Sequence, residues 1–141
     1  MTIALTLRQA IESACAKTPW ATDTALVHAV ERLIGASTSK DATWQSTAAD
    51  ADHPGVSVTI GASPNMLIRF YPSQNKIEIA PRSLPNNASL RKLFRAAVRD
   101  HSFVKFDAEV VRVDLALWMV NGASDVLDRA VVELRDAMVT G

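Results

Sequence analysis

Between Val56 and Ala80 the chain alternates apolar and polar residues three times over. Val56, Val58 and Ile60 fall on every second position, which is the period of a strand with one buried face. Met66, Ile68 and Phe70 repeat the pattern, with Leu67, Arg69 and Tyr71 facing away, and Lys76-Ile77-Glu78-Ile79 is a third alternation. The connections carry Gly61, Pro64, Asn65, Pro72, Ser73 and Asn75, residues that turn a chain. They are too short for a crossover, so the three strands are antiparallel neighbours in a meander. A sheet with one apolar face needs cover, and the helical segments on either side supply it.

Ahead of the meander, Thr6 and Gln9 have capping-box spacing, and Leu7, Ala10, Ile11 and Ala14 recur at helical intervals until Thr18-Pro19. This predicts a first helix from about Leu7 to Lys17, with Cys15 at the rim of its apolar face as a small buried hydrophobe. Thr22 caps a second helix whose stripe is Leu26, Val30 and Leu33, widened by Val27 and Ile34, with Gly35 at its C′ position. His28 projects with Glu31 and Arg32 on the opposite, solvated side. Residues 36–55 are a polar connecting segment with one large aromatic, Trp44; either Thr43 to Thr47 is an extra strand, the reading preferred here, or Trp44 is a contact residue on a long loop. Asp50, Asp52 and His53 run into Pro54-Gly55 and read as a turn.

Beyond the meander, Asn86 or Asn87 caps a third helix from about Ala88 to Asp100. Arg91, Arg95 and Arg99 stand four residues apart on one side of it, with Lys92 beside them and no acid at i±4 to pair with the arginines. Phe103 to Phe106 is a short strand. Glu109 to Met119 reads as the longest strand, with Val111, Val113, Leu115, Leu117 and Met119 on one face and Arg112, Asp114 and Trp118 on the other. Asn121-Gly122 turns the chain, and Ser124 caps a last helix whose stripe is Leu127, Val131, Leu134 and Met138, docking on the sheet. The expected fold is one α+β domain spanning 1–141, in the order α-α-β-β-β-α-β-β-α, with five mainly antiparallel strands or six with Thr43 to Thr47.

Charge adds a division that periodicity does not show. Lys plus Arg and Asp plus Glu both number 15, yet residues 64–106 hold eight basic and two acidic groups. Residues 1–63 hold four and six, and residues 107–141 three and seven, so a basic middle is flanked by acidic ends. Such segregation fits a surface for an anionic partner, or neutralisation within the fold. We assign Arg91, Lys92, Arg95 and Arg99, together with Trp44 and Trp118, as candidate partner contacts. The lone Cys15 excludes an intramolecular disulfide, the N-terminus lacks the pattern of a secretory signal, and the longest uncharged apolar run, Leu115 to Val120, falls short of the ~20 residues that span a bilayer. These features predict a soluble cytoplasmic protein.

The glycines are scattered, so no phosphate-binding loop is present, and the Gly-Ala-Ser triplets at 35, 61 and 122 lack the form of a nucleophile elbow. His28 and Glu31 share a helical face, but a zinc site needs further ligands and the other histidines, His53 and His101, lie far along the chain. The acids Asp107 and Glu109 serve acid–base chemistry only in a desolvating pocket. Arg99 to Phe106 matches the first basic residue and the closing F-V-x-F of the RNA-recognition octamer and nothing between. The expectation is a chain without catalytic residues, cofactor or metal.

The succession from Leu90 to Asp100 into Phe103-Val104-Lys105-Phe106, then Val110 to Leu117, then the helix capped by Ser124, resembles the YbjN-like family and the related fold of type III secretion chaperones. The likeness covers roughly Val56 to Met138. It implies a protein that binds a partner polypeptide without catalysis and dimerises through its sheet and a helix. The functional expectation is a protein-binding module of the chaperone, adaptor or immunity-protein kind, whose partner presents an acidic surface. Nucleic acid bound by the basic segment 88–106 is the alternative, and a small hydrolase-type enzyme the second.

Overall fold

Six strands form one sheet in the order β1-β2-β3-β4-β6-β5, and every neighbouring pair is antiparallel. The computed structural model describes residues 6–46, 54–60, 65–79, 102–106 and 111–140, with the backbone alone for Asn65, Met66, Phe106 and 137–140. The strands are β1 (Ala42–Ser46), β2 (Val56–Ile60), β3 (Asn65–Tyr71), β4 (Lys76–Ile79), β5 (Val104–Phe106) and β6 (Val111–Asp114). Helices α1 (Leu7–Cys15) and α2 (Thr24–Ser37) precede them, and α3 (Leu115–Val120) and α4 (Val126–Thr140) follow. The architecture is α+β, and the segment around Trp44 supplies the sixth strand. The helix expected from Ala88 to Asp100, and with it Arg91, Lys92, Arg95 and Arg99, lies outside the described residues, as do Asp50, Asp52, His53, His101, Asp107 and Glu109.

Alternation decides which face of the sheet is covered. Val58, Ile68, Ile79 and Val111 lie side by side across four strands, and Val56, Phe70, Ile77 and Val113 form the row next to them. All eight are at most 4% exposed, and α1 and α4 pack against β2 on that side. Between Val58 and Thr59 the pairing gains a residue on β3, which interrupts the strict alternation. Leu67, expected to face away, is fully buried at this irregularity. Gly55, just before β2, is a close approach: a β-carbon there would lie 2.3 Å from the Phe70 carbonyl oxygen.

The helices begin where polar caps stand. Thr6 and Gln9 make the reciprocal capping box, with Gln9 N–H donating to Thr6 Oγ1 at 3.1 Å and Thr6 N–H to Gln9 Oε1 at 2.9 Å. The cap of α2 is Asp23 rather than Thr22, its carboxylate accepting from Leu26 N–H at 3.0 Å. Nor does α2 stop at Gly35. The helix runs on to Ser37 because its last carbonyls find partners: Thr38 N–H donates to Ile34 O, and Arg135 of α4 donates to Ala36 O at 2.7 Å and Thr38 O at 3.1 Å. A cation at a helix C-terminus also meets the negative end of the helix dipole, so a left-handed glycine is not required.

The largest departure from the sequence pattern is at Asp114. The strand expected to reach Met119 ends there, because the Asp114 carboxylate accepts from Leu117 N–H at 2.9 Å and starts α3. Six residues later α3 closes in a Schellman motif: Gly122 is left-handed at φ 74°, Ala123 N–H reaches Trp118 O at 2.8 Å and Gly122 N–H reaches Met119 O at 3.0 Å. Helical spacing buries Leu115 and Trp118 and turns Leu117 outward. Ser124 Oγ then accepts from Val126 N–H as α4 begins, and Leu127, Val131 and Leu134 are buried.

Candidate functional site

An open groove of about 700 Å3 runs between α2 and the turn joining α3 to α4. Ala25, His28, Ala29, Glu31 and Arg32 line it from α2, Met119 from the end of α3, and Gly122 and Ala123 from the turn. The small side chains open the space, since Ala25, Ala29, Gly122 and Ala123 carry one carbon or none beyond the backbone. On α3, Leu117 and Val120 are exposed, the latter 83% accessible. They are the two large hydrophobic residues exposed among the described residues. Exposed apolar side chains and concave, partly apolar grooves are both features that binding surfaces use.

Arg32 builds the wall of this groove. Its Nε donates to Asp128 Oδ2 and its Nη2 to Ala123 O at 2.6 Å, so one guanidinium joins α2, α4 and the α3 turn. Ala123, a non-glycine residue at φ 50°, is held in the left-handed region by this contact and by its own bond to Trp118 O. Asp128 is 8% exposed and its Oδ1 has no hydrogen-bond partner. Burial therefore holds its carboxyl above the usual carboxylate range, although the Arg32 hydrogen bond and charge oppose the shift. Glu31 is occupied by Arg8 of α1 at 2.9 Å, which leaves the His28 imidazole and the half-exposed Arg32 guanidinium on the rim.

The sequence candidates separate. Trp118 is fully buried, with Nε1–H donating to Ser124 O at 3.3 Å; helical rather than strand geometry carries its ring inward, where it presents no surface to a partner. Trp44 is half-buried on β1, an outermost strand of the sheet, and stands opposite Val58 on the covered face. Cys15 is buried, and burial pushes its thiol up to about 11, which fits a packing role. His28 is exposed on the side of α2 that holds Glu31 and Arg32, as its spacing indicates. No group of three His, Cys, Asp or Glu side chains that could hold a metal occurs among the described residues, and no helix there is long and apolar enough to cross a membrane.

Sequence reasoning missed the groove because its walls lie some ninety positions apart in the chain. One signal was available: Asp114 and Gly122 bracket a short helix with a cap at each end. Comparison of the chain with protein-family models, curated proteins and solved structures gives no match.

Proposed function

We propose that this chain is a non-catalytic protein-binding module, of the chaperone, adaptor or immunity-protein kind, acting in the cytoplasm. The observation that carries the reading is the groove of about 700 Å3 between α2 and the α3–α4 turn; Leu117 and Val120, exposed on α3, add apolar surface. Its occupant is a partner segment bearing a bulky apolar side chain next to an acidic residue. The apolar side chain fills the space over Ala25 and Ala29, where Met119, flexible and polarisable, adapts to its shape. The acidic residue meets His28 and Arg32.

The test uses the full chain as bait in its native host, with mass spectrometry of the co-purified polypeptides and reconstitution of the complex from purified components. Ala25→Trp fills the groove from an exposed position and Val120→Asp places charge on the exposed helix face. Both variants are expected to keep the parent's circular dichroism and melting temperature and to bind the purified partner at least tenfold more weakly. Unchanged binding by both variants refutes the docking site. Co-purification of nucleic acid, with a steep log-linear dependence of affinity on salt, supports the alternative class. Turnover of a hydrolase substrate abolished by His28→Ala supports an enzyme.

A further inference from the structure

The two outer strands of the sheet differ in how they discourage a further strand. At one end β5 is three residues long and carries Lys105, and short charged edges resist pairing. At the other end β1 has neither a charge nor a proline, and its Thr43, Gln45 and Ser46 are exposed. What stands against its outer side is the chain's own stub, Thr38 and Ser39, between α2 and β1. Ala42 faces Ile60 of β2 on the inner side; on the outer side it donates to Ser39 O at 3.3 Å and accepts from Ser39 N–H at 2.8 Å, across a turn made by Lys40 and Asp41. Backbone direction alternates along a strand, so Trp44 and Ser46 turn their N–H and C=O groups to that same outer side, where β1 has no strand neighbour among the described residues.

The stub is held from the far end of the chain. Arg135 of α4 donates from Nη1 to Ala36 O at 2.7 Å and to Thr38 O at 3.1 Å, while its Nε and Nη2 bond Asp136 Oδ1 at 3.1 and 2.8 Å. Thr38 N–H donates to Ile34 O at 3.1 Å, so Thr38 is tied to α2 by its N–H and to α4 by its carbonyl, and Ser39 follows directly into the turn. We propose that Arg135 guards this edge: by holding Thr38 and Ser39 beside Ala42 it keeps β1 from pairing with β1 of a second copy. A second copy fits the edge because β1 is uncharged and complements itself. In an antiparallel pairing centred on Gln45 no like charges meet, and each Trp44 exchanges both backbone bonds with Ser46 of the second copy. The same register brings position 48 of the second copy opposite Ala42, the place that Ser39 holds, so the stub and the second copy exclude one another. The device lies at the sheet edge and does not depend on what the groove binds.

Sedimentation equilibrium of the full chain from about 10 μM to about 1 mM tests the proposal, a range suited to the weak association that so small a contact supports. The parent is expected to keep one mass across the range, whereas the mass of Arg135→Ala rises toward twice the parent's. At the lowest concentration the Ala42 amide is expected to exchange with solvent at least tenfold faster in Arg135→Ala than in the parent, with the Ile68 and Phe70 amides of β3 unchanged. Ser39→Pro removes the N–H that bonds Ala42 O without touching α4 and is expected to associate likewise, so the test stands even where Arg135→Ala folds poorly. Gln45→Lys, on an exposed side chain, sets like charges opposite one another at the centre of the pairing and is expected to return both variants to the parent's mass. Asp114→Ala, which removes the cap of α3 after β6, is expected to keep the parent's mass and so separates release of the edge from a general loss of stability. The proposal is overturned if the masses of Arg135→Ala and Ser39→Pro track the parent's, if Gln45→Lys leaves their association intact, or if Asp114→Ala associates equally.

Discussion

Replacing Arg32 by alanine tests whether one guanidinium organises the wall of the groove. The substitution removes the ion pair to Asp128 and the bond to Ala123 O at 2.6 Å, and leaves a carboxylate that is 8% exposed and already lacks a partner for Oδ1. Breaking a fully buried pair costs roughly 3–5 kcal/mol, but the Arg32 side chain is 45% exposed, so water recovers part of the loss and about 2 kcal/mol is the expected cost near neutral pH. For a chain of this size that lowers the melting temperature by roughly 5–10 °C. The cost should depend on pH in a definite direction. Asp128 titrates above its ordinary range in the folded protein, so the stability associated with its protonated form is complete below the unfolded pKa and is lost as pH rises through the folded one. Arg32 opposes that loss. Urea unfolding of parent and Arg32→Ala between pH 7.5 and pH 4 should therefore show a gap that narrows as pH falls. A gap below about 0.5 kcal/mol at neutral pH, or one that is constant across the range, refutes this account of the pair.

Two glycines should respond for different reasons. Gly55→Ala puts a β-carbon 2.3 Å from the Phe70 carbonyl oxygen and is expected to cost roughly 1–3 kcal/mol through forced backbone movement, whereas Gly122→Ala meets nothing within 4 Å and should cost only about 1 kcal/mol for its left-handed φ of 74°. Denaturant midpoints rank them, and equal losses would show that the close approach at β2 relaxes freely. Cys15, with its thiol pushed up to about 11 by burial, should hold roughly 0.1% thiolate at pH 8 and resist thiol reagents until urea unfolds the chain; rapid labelling of the native protein counts against its burial. Asp114→Ala removes the cap of α3 and should lower stability by about 1 kcal/mol, with Asp114→Asn restoring most of it.

The meander was legible because each of its strands has one apolar face and its turns carry residues that only turns favour. The sheet layer of the fold follows from that alone. Leu115 to Val120 was not legible by alternation: over six residues, apolar positions at every second place and at every third or fourth overlap, and only the Asp114 cap and the Gly122 C′ residue distinguish helix from strand. The same ambiguity assigned Trp118 to the surface when it belongs to the core. Gly35 misled for a related reason. A local stop signal is overridden when Arg135, a hundred positions away, satisfies the carbonyls that the stop would have served. Lys105 and Arg112 were visible as cations, but their facing one another across β5 and β6 is a property of register.

The clasp between α2 and α4 also sets the order in which the molecule can assemble. Arg32 finds Asp128 across 96 residues, and Arg135 finds Ala36 across 99, whereas β1 to β4 pair with their immediate neighbours in sequence. Closing a loop of that length costs about 3 kcal/mol more chain entropy than closing a hairpin of a few residues. The meander can therefore form early, while α2 lacks its C-terminal partner until the last helix has been synthesised and has docked. Because the groove has one wall on α2 and the other beside α4, a nascent or truncated chain displays the sheet without the groove, and only a chain that has closed on itself assembles it.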